Sequence, residues 1–373
     1  MIDQKSTLLH WFLNIRRSFG RLSIMGFLVT GGTGFIGSHL VQNLLRHKER
    51  VVGLDRAPDP EVVACVASHV SVVQCDLDER EPLAALFRDH EGIDRVVHFA
   101  YLMGAESEAD PPAAMRVNAL GTANLFAEAC AHRVKRIVFT SSESVYGRSQ
   151  ALYGDRPVTE DDYCSPRDLV LNYSLTKLLN EHLAAKYEEK FGTEIVSLRI
   201  PIVYGPGRKR GTTAWASDFV TLPGMGKLVR LPFPADDWNC YVYVEDVAEE
   251  IYALSTKPTL TDRVYNGGGH TVRPCDLAAL VRGIIPEAQN QLHSGEAAFA
   301  VHLSDGLNAH PPRPRVRITF HTGRNQRPYF KNPAIPQSRG ETQAMSRTPK
   351  MSGGTRRGSQ ITAHEKAVTS AAS

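Results

Sequence analysis

An α/β fold, built as a doubly wound parallel sheet with helices on both faces, is what this 373-residue sequence predicts. Short apolar runs recur at 27–29, 50–55, 70–74, 95–99, 136–140 and 194–200, each the length of a buried strand. Helical patterns such as 81–87 and 113–130 lie between them, and a strand–helix–strand alternation is how parallel strands are connected. A glycine-rich loop, TGGTGFIG, joins the first strand to its helix. A smaller C-terminal substrate-binding lobe is expected beyond the sixth strand.

The first strand is Phe27, Leu28 and Val29, and the helix after the loop carries Phe35, Ile36, Leu40, Leu44 and Leu45 as its apolar positions. Gly31 serves the tight turn, Gly34 lets the backbone approach a pyrophosphate, and Gly37 lets the helix pack close to its strand. Free N–H groups at the helix start favour phosphate, so Thr33, Phe35 and Ile36 join these glycines as expected contacts of a dinucleotide. The second strand ends in Asp55, about where an acid binds the adenosine ribose hydroxyls. A carboxylate there disfavours the extra phosphate of NADP and points to NAD, with Arg56 beside it pulling the other way. The third strand leads into Asp76 and Leu77, expected beside the adenine, and the fourth is followed by Ala100, the last expected cofactor contact.

Beyond 200 the pattern changes to Gly, Pro, Arg and Lys, followed by helices at 245–254 and 274–284 and a short strand at 264–266. This divides the chain into an N-terminal extension 1–24, a main NAD-binding part 25–200, and a substrate-binding part 201–308. Within the last, 241–266 returns to the first domain, and a basic tail 309–373 is expected to be disordered.

The charge is uneven. Residues 311–373 hold 12 Lys/Arg against 2 Asp/Glu and residues 1–24 hold 4 against 1, leaving 27 against 37 for 25–310. An acidic body of that kind argues against a specific nucleic-acid partner. No apolar run is long enough to cross a bilayer, so no membrane association is expected. Six scattered cysteines without a CxxC pair suit reduced thiols in the cytoplasm and offer no metal site. In 1–24 the Arg16-Arg17 pair follows the apolar cluster instead of preceding it, unlike a secretory signal, so the segment reads as an extended start.

Two further segments carry candidate chemistry. The hydroxyl-rich run 138–147 contains Ser142 at the carboxyl end of the fifth strand, the edge along which such sheets bind ligands. Tyr173 and Lys177 stand four apart at the start of a helix running to about Phe191, and so share one face. A nearby ammonium and a cationic nicotinamide favour the phenolate, so Tyr173 is expected to exchange a proton with a substrate hydroxyl. Ser142 would hydrogen-bond the same oxygen, and Lys177 would hold the nicotinamide ribose.

TGGTGFIG, SSESVYG, YSLTK and YVYVEDVA, in that order, resemble the extended short-chain dehydrogenase/reductase family, also called NAD-dependent epimerases/dehydratases, over about 26–291. The resemblance implies a Rossmann-type domain with tightly held NAD, and a Ser/Thr–Tyr–Lys catalytic set at Ser142, Tyr173 and Lys177. It implies a homodimer formed through 113–130 and 173–190. Asn118 matches the family's helix Asn near the active site, with a packing or backbone role as the other reading. The family's sugar-nucleotide enzymes bind diphosphate with an Asn where this chain has Ile202, and with an Arg near 238–241, here Trp-Asn-Cys-Tyr. Their dehydratases carry Asp-Glu where this chain has Glu143-Ser144, which argues against dehydration. RGTTAWA at 210–216 resembles the threonine-dehydrogenase-like branch. An NAD-dependent oxidoreductase acting at a secondary hydroxyl is therefore expected, with an NDP-sugar epimerase and a non-catalytic NAD-binding regulator as the rivals.

Overall fold

Every residue of the first strand, β1 (Gly26–Thr30), is buried, because its two faces feed two different cores. Phe27 and Val29 pack with Leu40, Val41 and Leu44 of helix α1 (Phe35–Arg46). Leu28, pointing the other way, packs with the opposite helical layer. The computed structural model describes residues 26–147, 152–154, 156, 158–211, 213–234 and 239–293. The expected extension 1–24, the tail 309–373 and the end of the lobe lie outside the described residues.

The strands continue as β2 (Arg50–Asp55), β3 (Ser71–Gln74), β4 (Ile93–His98), β5 (Arg136–Ser142) and β6 (Glu194–Ile200). After β7 (Ile202–Tyr204), β8 (Val229–Pro234) and β9 (Asn239–Tyr243), the chain returns to the main sheet as β10 (Val264–Asn266). The seven-stranded sheet has the order β10-β6-β5-β4-β1-β2-β3, and every neighbouring pair is parallel. The predicted doubly wound sheet is thus what forms. The order reverses between β1 and β4, which opens a crevice at their carboxyl ends, the place where such sheets take ligands.

Helices α2 (Pro60–Val66) and α3 (Arg80–Asp89) connect the first half of the sheet. After β4 come α4 (Gly104–Ala109), α5 (Pro111–Ala114) and α6 (Thr122–Ala131), then α7 (Asn172–Phe191) leading into β6. Leu83, Leu86 and Phe87 of α3, Leu125, Phe126 and Ala129 of α6, and Ala184 of α7 form the second core with Leu28. Each leucine or phenylalanine among them contributes roughly 1.5–3 kcal/mol by leaving water.

The helical pattern at 113–130 is not one helix. A π-helical turn, Met115–Gly121, interrupts it. The cause sits at Asn118, whose carbonyl accepts from Thr122 Oγ1 at 2.7 Å and Asn180 Nδ2 at 2.8 Å. Side chains so compete for the backbone that the helical ladder widens by one residue.

The stretch 201–240, which reads as mostly loop, holds β7, α8 (Trp215–Gly224) and β8 as well as the start of β9. Helix α9 (Val244–Thr256) brings Val247, Ala248 and Ile251 back onto the first core. Strand β11 (His270–Val272) completes a three-stranded sheet with β9 and β7. Helix α10 (Pro274–Ile284) and β12 (Asn290–His293), which pairs with β8, finish the described fold around a separate cluster that includes Phe219, Ala278 and Val281.

Candidate active site

The glycine loop is shaped by main-chain crowding. Gly31 has φ +68°, and its N–H donates to Leu54 O at 2.7 Å, tying the loop to the end of β2. A Cβ on Gly37 would lie 2.0 Å from Gly31 O, so only glycine lets α1 start that close to the turn. Gly34 caps α1, and no described side chain fills the cap, which leaves the first-turn N–H groups open to an anion. This cradle fits a dinucleotide pyrophosphate.

Asp55 faces the loop. Its Oδ2 accepts from Thr33 N at 3.3 Å and from Thr33 Oγ1 at 2.6 Å, while Oδ1 accepts from Ala57 N at 3.3 Å. Asp76, after β3, is pushed up by burial first and by Asp78 second, with Arg56 pulling it down, so Arg56 and Asp76 share the far end of this edge. Leu77 is buried against Gly121 of the π turn, and its carbonyl accepts from Asn124 Nδ2 at 3.0 Å. Ala100 N donates to Thr30 Oγ1 at 3.3 Å, just past the end of β4. All the expected cofactor contacts therefore lie along one sheet edge.

The second half of the edge is built from side chains far apart in sequence. Ser142 ends β5 and caps the following turn by accepting from Ser144 N at 3.2 Å. Tyr173 is held up at about 12 by burial, with the Ser142 hydrogen bond and then Arg208 drawing it down and Glu143 raising it. Lys177 is 2% exposed and is pulled down to about 7 by burial, with Glu181 opposing. Its Nζ donates to Thr140 O and stands 3.5 Å from the Tyr101 ring centroid and 5.5 Å from that of Tyr173. The shared face of Tyr173 and Lys177 is therefore an inward face. Burial works against the charged form of each, and the Ser142 hydrogen bond and Arg208 oppose it at Tyr173.

The Asn118 side chain holds main chain and lies 3.5 Å from Thr176 Oγ1. Its Oδ1 accepts from Leu102 N at 2.8 Å and its Nδ2 donates to Leu102 O at 3.0 Å, which pins the segment after β4 and matches the backbone reading.

Three polar residues here, Tyr101, Asn180 and His98, went unremarked in the sequence. Tyr101 packs edge-on against Tyr173 at 5.7 Å between centroids and accepts from Asn180 Nδ2 at 2.7 Å. Asn180 stands seven residues beyond Tyr173, a helical repeat that marks it as inward-facing. His98, 1% exposed, bonds Thr30 Oγ1 at 2.7 Å and Thr122 Oγ1 at 2.9 Å, and burial followed by the Lys177 charge lowers it to about 3. Glu143 is buried, burial raises it well above the usual carboxylate range, and its Oε2 has no partner among the described residues.

Known proteins are similar to this chain in sequence and fold. The profile of the NAD dependent epimerase/dehydratase family matches residues 27–268. An uncharacterized UDP-glucose epimerase of Bacillus subtilis, YtcB, is 30% identical over 299 residues, covering 77% of this chain and 87% of that protein. The NAD complex of Thermus thermophilus UDP-glucose 4-epimerase superposes with a TM-score of 0.64 at 28% identity, over 74% of this chain and 89% of that one. L-threonine dehydrogenase of Phytophthora infestans superposes at 0.63 and 26% identity, over 72% and 85%.

Proposed function

The chain belongs to the NAD dependent epimerase/dehydratase family, an enzyme family that uses NAD, and on that premise we propose that it oxidises a secondary hydroxyl of a small or sugar-like substrate with Tyr173 as proton acceptor. One observation carries the assignment of residues. Ser142, Tyr173 and Lys177 converge at the carboxyl edge of the sheet that also bears the glycine cradle.

Gly31, Thr33, Gly34, Phe35, Ile36 and Gly37 would hold the pyrophosphate of NAD, Asp55 its adenosine ribose, and Arg56, Asp76 and Leu77 its adenine. Ala100, Tyr173 and Lys177 would border the nicotinamide half. The chemistry NAD supplies when bound is hydride acceptance. Ser142 fixes the substrate oxygen by a hydrogen bond, and Tyr173 takes its proton. Arg208 and the Ser142 hydrogen bond are the groups that draw the phenol toward its basic form. Lys177, whose charge burial disfavours and Glu181 supports, holds its place through Thr140 O and the Tyr101 ring.

A second reading, an NDP-sugar epimerase, is supported by the UDP-glucose epimerases among the relatives. Ile202 and Asn239, in place of the Asn and Arg typical of sugar-nucleotide enzymes, favour the dehydrogenase. Incubation with NAD and parallel panels of hydroxy acids, amino alcohols and sugar nucleotides separates the two. Net NADH accumulation is expected, and product inversion without it would reject the dehydrogenase.

We propose a homodimer in the cytoplasm. Leu120, Leu175 and Leu179 are 49, 39 and 46% exposed on the π turn and α7, the segments expected to pair. Free thiols at all six cysteines support a reducing compartment. Light scattering should give twice the chain mass, and Leu179→Glu should give the monomer.

A further inference from the structure

The basic run 208–210 is not one solvated patch. Lys209 leaves the loop toward α2, 3.4 Å from Glu61 Oε2 and 3.7 Å from Asp59 Oδ2, and Arg210 is exposed. Arg208 turns inward. Its guanidinium donates to Val203 O and Thr213 Oγ1 and lies 5.6 Å from the ring centroid of Phe35, the first residue of α1. A Cβ on Gly211 would meet both Arg208 Nη2 and Met103 Cε at 3.3 Å, so the loop closes over the guanidinium. His39 Nε2, 3.1 Å from Pro206 O, and Ser217 Oγ, accepting from Gly205 N at 3.2 Å, hold that loop down.

Two fully buried arginines show what the half-buried Arg208 lacks. Arg136 is neutralised by Glu194 at 2.6 Å, and Arg199 by Glu181 at 2.7 Å. Among the described residues no carboxylate ion-pairs with Arg208. Burial lowers it to about 10, and the group that raises it is the Tyr173 phenol. A half-buried guanidinium held in a closed loop without a carboxylate partner loses part of its hydration uncompensated, and a bound anion offsets that loss. Of its five N–H donors, two are spent on Val203 and Thr213, and the rest suit one planar carboxylate. A diphosphate needs more donors, and Ile202 supplies none.

We propose that Arg208 binds the carboxylate of the substrate beside Tyr173, which makes the substrate a small hydroxy acid with its carboxylate one or two carbons from the reacting hydroxyl. The proposal rests on Tyr173 being the proton acceptor. A nucleoside diphosphate sugar carries its charge farther from the reacting carbon and would not bring an anion to this guanidinium.

The test is calorimetric. The full chain saturated with NAD is titrated with 3-hydroxybutyrate, inorganic phosphate and UDP, as native protein, Arg208→Met and Arg208→Lys, with NAD affinity and thermal melting measured on each. The expected result is 3-hydroxybutyrate binding that weakens about 100-fold in Arg208→Met and recovers in part in Arg208→Lys, with NAD affinity within roughly twofold of native. Three results would overturn the proposal: no binding of 3-hydroxybutyrate or binding indifferent to Arg208, Arg208 dependence carried instead by phosphate or UDP, or a matching loss of NAD affinity, which would make Arg208 a cofactor ligand. Tyr173→Phe distinguishes the underlying reading. It should keep 3-hydroxybutyrate binding and lose NADH formation, and if NADH still forms, the role of Tyr173 fails while that of Arg208 stands.

Discussion

Around β1 and β2 the site is lined by main chain, and around β5, α7 and the loop after β7 it is lined by buried side chains. In the first region the contacts are local: Gly31 and Gly32 donate to Leu54 O, and Thr33 meets Asp55. In the second, Lys177 reaches Thr140, Asn180 reaches Tyr101, and Arg208, from another part of the chain, lies near enough to Tyr173 for their charges to interact. The first region is a main-chain mould whose shape and open N–H groups suit the proposed pyrophosphate. The second is a set of desolvated polar groups whose charges are adjusted by one another. Changes in the first should therefore act on cofactor affinity and stability, and changes in the second on turnover and its pH dependence.

The largest effect expected is at Tyr173. Tyr173→Phe removes the proton acceptor and the hydrogen bond to Ser142, and should lower kcat by about 10³-fold. The Tyr101 ring still packs against phenylalanine, so NAD affinity and melting temperature should hold. Steady-state kinetics beside a direct NAD titration checks this. A comparable loss in both quantities would mean that the two regions are not separable.

Gly37→Ala attacks the mould. The new methyl would sit 2.0 Å from Gly31 O and 3.0 Å from Gly32 Cα, and both are backbone atoms that cannot move aside alone. A loss of about 3 kcal/mol of stability is expected, together with loss of NAD binding. Urea unfolding with and without NAD would show it. Retained stability with lost binding would confine the glycine to a ligand-clearance role.

The contrast also explains what could be read from residues in order. The mould was legible because backbone geometry leaves its mark locally: Gly31, Gly34 and Gly37 between a strand and an amphipathic helix fix a turn whatever the rest of the fold does. Tyr173 and Lys177 were legible as a spacing. Arg208 was not, because a run of three basic residues reads the same whether its first member points in or out, and only the loop's anchorage to His39 and Ser217 decides that. The π turn at Met115–Gly121 was hidden for the same reason, since Asn180, which takes the Asn118 carbonyl together with Thr122, comes from another segment.

His98 belongs to both regions, tied to Thr30 of β1 and to Thr122 of α6, and tests their junction. Its native value of about 3 lies below the ordinary 6.5. Between those values the unfolded chain binds a proton that the native chain refuses, so stability falls as pH drops below 6.5. The loss due to this residue should be about 2 kcal/mol between pH 7 and 5. Glu143, raised by burial, works in the opposite sense, so the comparison must be native against His98→Gln. The variant should lack that part of the acid slope, and an unchanged slope would mean that His98 ionises freely.

The smallest effect expected is at Asp55, and it separates shape from charge within the mould itself. Asp55 Oδ2 takes both Thr33 N and Thr33 Oγ1, and Oδ1 takes Ala57 N, so it braces the loop as well as facing the expected ribose. Asp55→Asn keeps the size and one acceptor but removes the charge. A loss of about 1 kcal/mol in NAD binding should follow, about fivefold in Kd, with kcat unchanged. The carboxylate also repels the additional phosphate of NADP, so the variant should narrow the preference for NAD from both sides. Parallel titration with the two cofactors measures this directly. If NAD affinity falls while NADP affinity does not rise, Asp55 acts by bracing Thr33 and not by its charge, and the selectivity must come from the Arg56 and Asp76 end of the same edge.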